Sequence, residues 1–208
     1  MRDSSLFGNL FISAGAMKAG TTWLYALLDR HPELFFTPEK EIHYFYAKYT
    51  DSKVLSDQRR LENAKTRYIE RIDPQRANID RIRYNLHFVS NYLNRPVDDY
   101  WYRNLFQPNG RPAYHCDFSN FYALLPTAAW PQIAAQCARL RVLYTLRHPV
   151  KRLWSHVKFH LQVTGQLDKL SQWAPKDFEN FARQPFIWDN AEYGRNLSRM
   201  TAGLSDEM

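Results

Sequence analysis

The chain has 208 residues, enough for one ordinary domain that buries about 70% of its unfolded surface. Hydrophobic residues make up 45% and aromatics 15%, which excludes a globally disordered chain, and a formal charge of +7 points to anionic company such as a nucleotide, an acidic sugar or nucleic acid. Two cysteines, Cys116 and Cys137, exclude a disulfide framework and a Cys-x-x-Cys zinc site, and no window approaches the ~18 apolar residues of a membrane span, so a cytoplasmic protein is expected.

The first predicted element runs through Asn9–Leu24. Leu10, Phe11 and Ile12 form a short apolar run suited to a strand covered on both faces. Gly15, Ala16, Ala19 and Gly20 follow, small enough for backbone N–H groups to approach an anion. Thr21 and Thr22 then open an apolar helical pattern through Trp23, Leu24, Leu27 and Leu28. The N-terminus of that helix, with unpaired N–H groups, faces the same spot, and Lys18 adds a full charge. The stretch reads as a phosphate-binding strand, loop and helix. It departs from the Walker A pattern, since Thr21 stands where that pattern has lysine and the lysine lies inside the loop at position 18.

Asp29-Arg30-His31-Pro32 stops the helix, and Leu34-Phe35-Phe36 is predicted as a second strand. Residues 37–46 follow as a loop or short turn rich in aromatics and charges. If the second strand is parallel to the first, this loop lies near Lys18. Residues 51–83 carry dense charge with apolar Leu55, Leu61, Ile69, Ile72, Ile79 and Ile82, which predicts one or two amphipathic surface helices broken at Asp73-Pro74. Most of their charge is assigned to a solvated face. Residues 84–112 read as aromatic and irregular, punctuated by Pro96, Pro108 and Pro112. Together 51–112 are expected to form an insertion on the substrate side, with a cleft wall and a loop-rich core both left open.

Ala113–Phe118 is a predicted strand with a turn at Ser119-Asn120, and a helix is expected from Pro131 through Cys137. The apolar strand Leu140–Leu146 ends in Arg147, where a Walker B pattern has a metal-binding Asp; an arginine there suits anions and not metals. Val150–Gln162 predicts a helix closed by Gly165, with shorter helices inside 173–186 and 190–203. Strands alternating with helices predict a single α/β domain with a central, mainly parallel sheet flanked by helices.

Three clusters now stand together: Lys18 with its turn, Glu41 with His43, and Arg147 with Ser155. In combination they resemble the sulfotransferases that use 3′-phosphoadenosine 5′-phosphosulfate (PAPS). Lys18-Ala-Gly-Thr-Thr-Trp-Leu24 resembles that family's 5′-phosphosulfate loop. Arg147-His-Pro, with Ser155 eight residues after the arginine, resembles its 3′-phosphate motif, and Glu41-Ile-His-Tyr-Phe45 resembles the Glu-x-x-Phe-Phe segment of the heparan sulfate branch.

The resemblance implies a transferase acting on a hydroxyl or amine of a carbohydrate-like acceptor, with PAPS as donor, no metal and no nucleic-acid partner. It implies Glu41 as catalytic base, Lys18 as the charge on the leaving oxygens, and His43 as a further catalytic, substrate-touching or structural residue. Lys18, Ala19, Gly20, Thr21, Thr22, Trp23, Arg147 and Ser155 are implied in cofactor binding. Trp23 and Trp154 are read as core, with contact between Trp23 and the base left open. Phe118 falls where the family often has lysine, so a basic contact is expected from elsewhere, such as His115. The family's last strand is expected to be missing after Met208, which leaves completion by a second subunit, and so an oligomer, open. A nucleotide kinase with a degenerate loop and a non-catalytic binder of 3′-phosphorylated nucleotides are the competing readings.

Overall fold

The structure, a computed structural model, describes residues 5–76, 78–106 and 112–204. Strands β1 (Phe7–Gly15), β2 (Leu34–Phe36), β3 (Tyr114–Phe118) and β4 (Cys137–Tyr144) form one sheet in the order β2-β3-β1-β4, and every neighbouring pair is parallel. This is the α/β architecture that the alternation of elements predicts. Leu10 of β1 lies opposite both His115 of β3 and Leu140 of β4, so the first strand is central. Its successive side chains go to opposite faces. Leu10, Ile12 and Ala14 join Phe45, Tyr102 and Trp130 on one side, while Phe11 packs with Phe36, Cys116 and Phe118 on the other. Both faces are covered, as a parallel sheet requires.

Helix α1 (Thr21–Leu28) connects β1 to β2. Between β2 and β3 lie α2 (Tyr44–Tyr49), α3 (Asp57–Ala64), α4 (Ile79–Tyr92) and α5 (Asp99–Asn104), and α6 (Ala129–Ala135) joins β3 to β4. Then come α7 (Pro149–Val163), α8 (Pro175–Ala182), α9 (Pro185–Trp188) and α10 (Tyr193–Gly203). Among the described residues no helix is long and apolar enough to cross a membrane.

Four expectations are corrected. The aromatic stretch from residue 84 is helical as far as α5, and Tyr92, Trp101 and Tyr102 are buried in the main core; Pro108 and residues 107–111 lie outside the described residues. Helix α3 does not bury its apolar pattern. Leu61 is 59% exposed, and Ile69 and Ile79 are also exposed, whereas Arg60, Ala64 and Tyr68 face inward at a spacing of four. Arg60 is tolerated there because its guanidinium donates to the carbonyls of Leu55, Tyr92 and Asn94 and pairs with Asp57. Helix α6 ends before Cys137, which instead opens β4, so helix and strand both lie earlier than predicted. Trp23 is 71% exposed and Trp154 43% exposed, so neither is core: each projects outward from its helix.

Because all four strands run the same way, their C-terminal ends share one edge of the sheet. Residues 16–20, 37–43, 119–120 and 145–148 leave from that edge.

Candidate active site

The loop after β1 begins with Gly15 at φ +125°, a region open to glycine, and a Cβ there would lie 3.0 Å from the Asn120 carbonyl oxygen. Gly20, at φ +94°, caps α1 in a left-handed conformation. No side chain caps that helix and no acidic residue sits in its first turn, so its N–H groups remain available to an anion. Thr21 and Thr22 line the cavity above it, which encloses about 570 Å³.

Lys18, Glu41, His43, Arg147 and Ser155 line the same cavity. Three separate loops and helix α7 therefore bring together residues spread over 138 positions of sequence, from Lys18 to Ser155, counted inclusively. Gly20 joins them; Ala19 and Trp23 do not line the cavity. Among the described residues three non-glycine residues have a left-handed backbone, Lys18 (φ 66°), Glu41 (φ 67°) and His43 (φ 59°). Such a conformation costs on the order of 1–3 kcal/mol for a residue with a Cβ and persists only where surrounding structure enforces it. All three point to one cavity.

Glu41 is held on several sides. The Asn120 N–H donates to its Oε2 at 2.7 Å, Lys40 pairs with its Oε1, and His43 Nε2 approaches Oε2 at 3.6 Å. Its own N–H donates to the Phe118 carbonyl at 3.0 Å, tying the loop to the end of β3. His43 stacks on Phe121, with ring centroids 4.4 Å apart, and its N–H donates to Ser119 Oγ at 2.9 Å. Burial pushes the His43 imidazole down to about 4, so the ring is neutral at pH 7. Ser119 in turn donates to the buried Asp117, which also accepts from Tyr102 and Tyr122. The stretch 117–122 thus acts as a floor beneath Glu41 and His43.

The rest of the charged lining is cationic. Lys18, Lys40, Arg67 and Arg147 line the cavity against the single carboxylate of Glu41. Burial, then the charges of Arg147 and Lys40, push the Lys18 ammonium below the ordinary lysine range. Lys18 Nζ sits 4.2 Å from the Phe159 ring centroid, and Arg147 Nη1 donates to the Lys18 carbonyl at 3.1 Å. Tyr193 of α10 braces the arginine by donating from its hydroxyl to the Arg147 carbonyl at 3.0 Å. Crowded cations around an uncapped helix N-terminus fit a ligand carrying phosphate groups.

Sequence reasoning missed Lys40, Arg67, Asn120, Phe121 and Phe159. Asn120 acts through its backbone, which no side-chain motif announces, and Arg67 is one cation in a charge-dense segment. His115 does not supply the missing basic contact. It sits within β3, packs against Phe35 and Phe106, and lines a different cavity.

A family model described as "Sulfotransferase family" matches residues 10–201. Among solved structures, the chain is similar to a sulfotransferase from Alicyclobacillus acidocaldarius, at 20% identity and a TM-score of 0.57, over 95% of this chain and 69% of that one. No curated protein matches the chain. The likeness in structure carries the fold, and the family match spans the loop of Lys18, the Glu41 segment and the Arg147 motif together. The chain belongs to the sulfotransferase family.

Proposed function

We propose that the protein is a PAPS-dependent sulfotransferase that acts on a hydroxyl or amine of a carbohydrate-like acceptor, nearest in motif to the heparan sulfate branch. The observation that supports this most is the convergence of Lys18, Glu41 and His43, the left-handed residues, on one cation-rich cavity with Arg147 and Ser155. Lys18, the N–H groups opening α1, and the Thr21 and Thr22 hydroxyls would hold the 5′-phosphosulfate. Arg147 and Ser155 would hold the 3′-phosphate, the arginine through its planar fork of donors. When bound, PAPS supplies an activated sulfuryl group whose bond to the phosphate oxygen breaks as a bond to the acceptor oxygen or nitrogen forms.

The chain's own residues serve that exchange. Lys18 Nζ neutralises charge on the leaving phosphate oxygen. The Glu41 carboxylate accepts the proton that the acceptor loses, and the Asn120 N–H and Lys40 fix its orientation. His43, neutral and stacked on Phe121, closes the site beside the base.

Transfer of radiolabelled sulfate from PAPS to a panel of hydroxyl and amino sugars tests the reading. Wild type should label at least one acceptor. Glu41→Gln keeps the shape of the side chain and should lower turnover about 100-fold or more. Its affinity for adenosine 3′,5′-bisphosphate should stay within about threefold of wild type, because Glu41 is not among the groups assigned to the nucleotide. Full activity in Glu41→Gln would remove Glu41 from the role of base, and absence of transfer to any acceptor would count against the reaction.

A further inference from the structure

The loop after β1 suits an anion only if its carbonyl oxygens are turned elsewhere, because a carbonyl facing a phosphate repels it. Each carbonyl of residues 15–18 has a donor. Gly15 accepts from the Thr145 N–H at 2.8 Å, Ala16 from the Ala19 N–H at 3.1 Å, and Lys18 from Arg147 Nη1 at 3.1 Å. Met17 accepts from Nη1 of Arg152, the longest of the four contacts at 3.5 Å. The Met17–Lys18 peptide is trans, so the Lys18 N–H points opposite to that carbonyl. This N–H has no partner among the described residues, which leaves it to a ligand on the side away from Arg152.

Arg152 lies on α7, is fully buried, and does not line the nucleotide-side cavity. Its Nη1 also donates to His156 Nδ1 at 3.2 Å; the ring nitrogen must accept, since a guanidinium has no acceptor. Its Nε and Nη2 are buried without a partner, and no carboxylate pairs with it among the described residues. Its electrostatic neighbours on β4 and α10 are Tyr144 and Tyr193 rather than an acid. Arg60 is the contrast: it is equally buried, but three carbonyls and Asp57 compensate it. A buried charge without a counter-ion destabilises a fold, and an apolar residue of similar size in its place is often neutral or stabilising. Stability therefore does not account for Arg152, whereas its place behind the loop does.

We infer that Arg152 is a positioning residue for the 5′-phosphosulfate: it holds the Met17 carbonyl out of the site, so that the Lys18 N–H faces the ligand, and it adds a buried positive charge behind that end of the nucleotide. The inference rests on the PAPS-dependent reading and adds to it a residue that touches neither donor nor acceptor. Two arginines of one segment then divide the work. Arg147, exposed, pins the Lys18 carbonyl and reaches the ligand, while Arg152, buried, pins the preceding carbonyl and acts only through the loop.

Calorimetric competition between adenosine 3′,5′-bisphosphate and adenosine 3′-phosphate reads the 5′ end alone, as the ratio of the two affinities. In wild type the bisphosphate should bind about tenfold tighter or better. Arg152→Met, similar in length and uncharged, should cut that ratio about fivefold or more. It should bind adenosine 3′-phosphate within about threefold of wild type, and it should melt at the wild-type temperature or above. Arg152→Lys keeps the charge and a donor, and should keep at least about half of the ratio. No preference for the bisphosphate in wild type, an unchanged ratio in Arg152→Met, equal weakening of both nucleotides, or a lysine variant as impaired as the methionine variant overturns the inference. So does a methionine variant that melts well below wild type or does not fold, because Arg152 would then serve the fold. Each of these results leaves the sulfotransferase reading standing while wild type binds the bisphosphate. Failure of wild type to bind it overturns both.

Discussion

Arg147 leans back on the loop after β1 through one nitrogen, Nη1 to the Lys18 carbonyl, and leaves the rest of its fork for a ligand. If that ligand is a 3′-phosphate, Arg147→Ala should weaken adenosine 3′,5′-bisphosphate about 10- to 150-fold more than adenosine 5′-phosphate, the range of a charge-assisted contact. Competition binding with the two nucleotides reads the ratio, and equal weakening of both would remove the residue from that role. At this scale the sequence was legible where chemistry is local. The spacing of Arg147 and Ser155, and the order of Lys18, Glu41 and Arg147, could be read directly because each motif travels as one short segment. Lys40 and Arg67 could not be read, because their position against Glu41 is set by packing between segments. Trp23 failed in the opposite sense: its apolar character suggested burial, but the first turn of α1 turns it to solvent.

Among the elements, β1 and its loop were legible because an apolar run, small residues and two threonines each demand the same conformation. Helix α3 was not, because the residue that faces the core is an arginine. Hydrophobic periodicity assigns Leu61 inward; the structure assigns Arg60, whose four polar contacts compensate its charge. The two orientations make opposite predictions. Arg60→Ala leaves buried carbonyls unpaired and should destabilise the protein by about 3–5 kcal/mol, whereas Leu61→Ala should cost less than about 0.5 kcal/mol. Urea unfolding of the two variants measures both, and the reverse order would mean that α3 is turned the other way. The stretch read as irregular became α4 and α5 for a related reason. Its many aromatics lack a clear stripe, yet Asn78 and Asp98 cap the two helices from their side chains.

Across the whole molecule, the parallel sheet gathers every loop of the site at one edge, and burial there sets how stability responds to acid. Burial holds His43 down to about 4. Burial, helped by the Arg152 charge, holds His156 down to about 3. In an unfolded chain both would titrate near 6.5, so the unfolded state binds more protons as pH falls. Their contribution is present above pH 6.5 and is lost as pH drops through 6.5 toward 4 and 3, about 2 kcal/mol each by pH 5. Asp117, raised by burial, works with the opposite sign, so the comparison is best made within one background. His43→Asn, which tolerates the left-handed backbone, should lose about 2 kcal/mol less than wild type between pH 7 and pH 5 in denaturant titrations; an identical loss would contradict the assignment. The central claim, a cavity that holds a 3′,5′-phosphorylated adenosine, is tested most directly by calorimetric titration with adenosine 3′,5′-bisphosphate alone, set against ATP with magnesium. Tight binding of the bisphosphate without metal, and weaker binding of magnesium-ATP, is the predicted result. Preference for magnesium-ATP in a folded sample would contradict the account and favour a kinase-like use of the same loop.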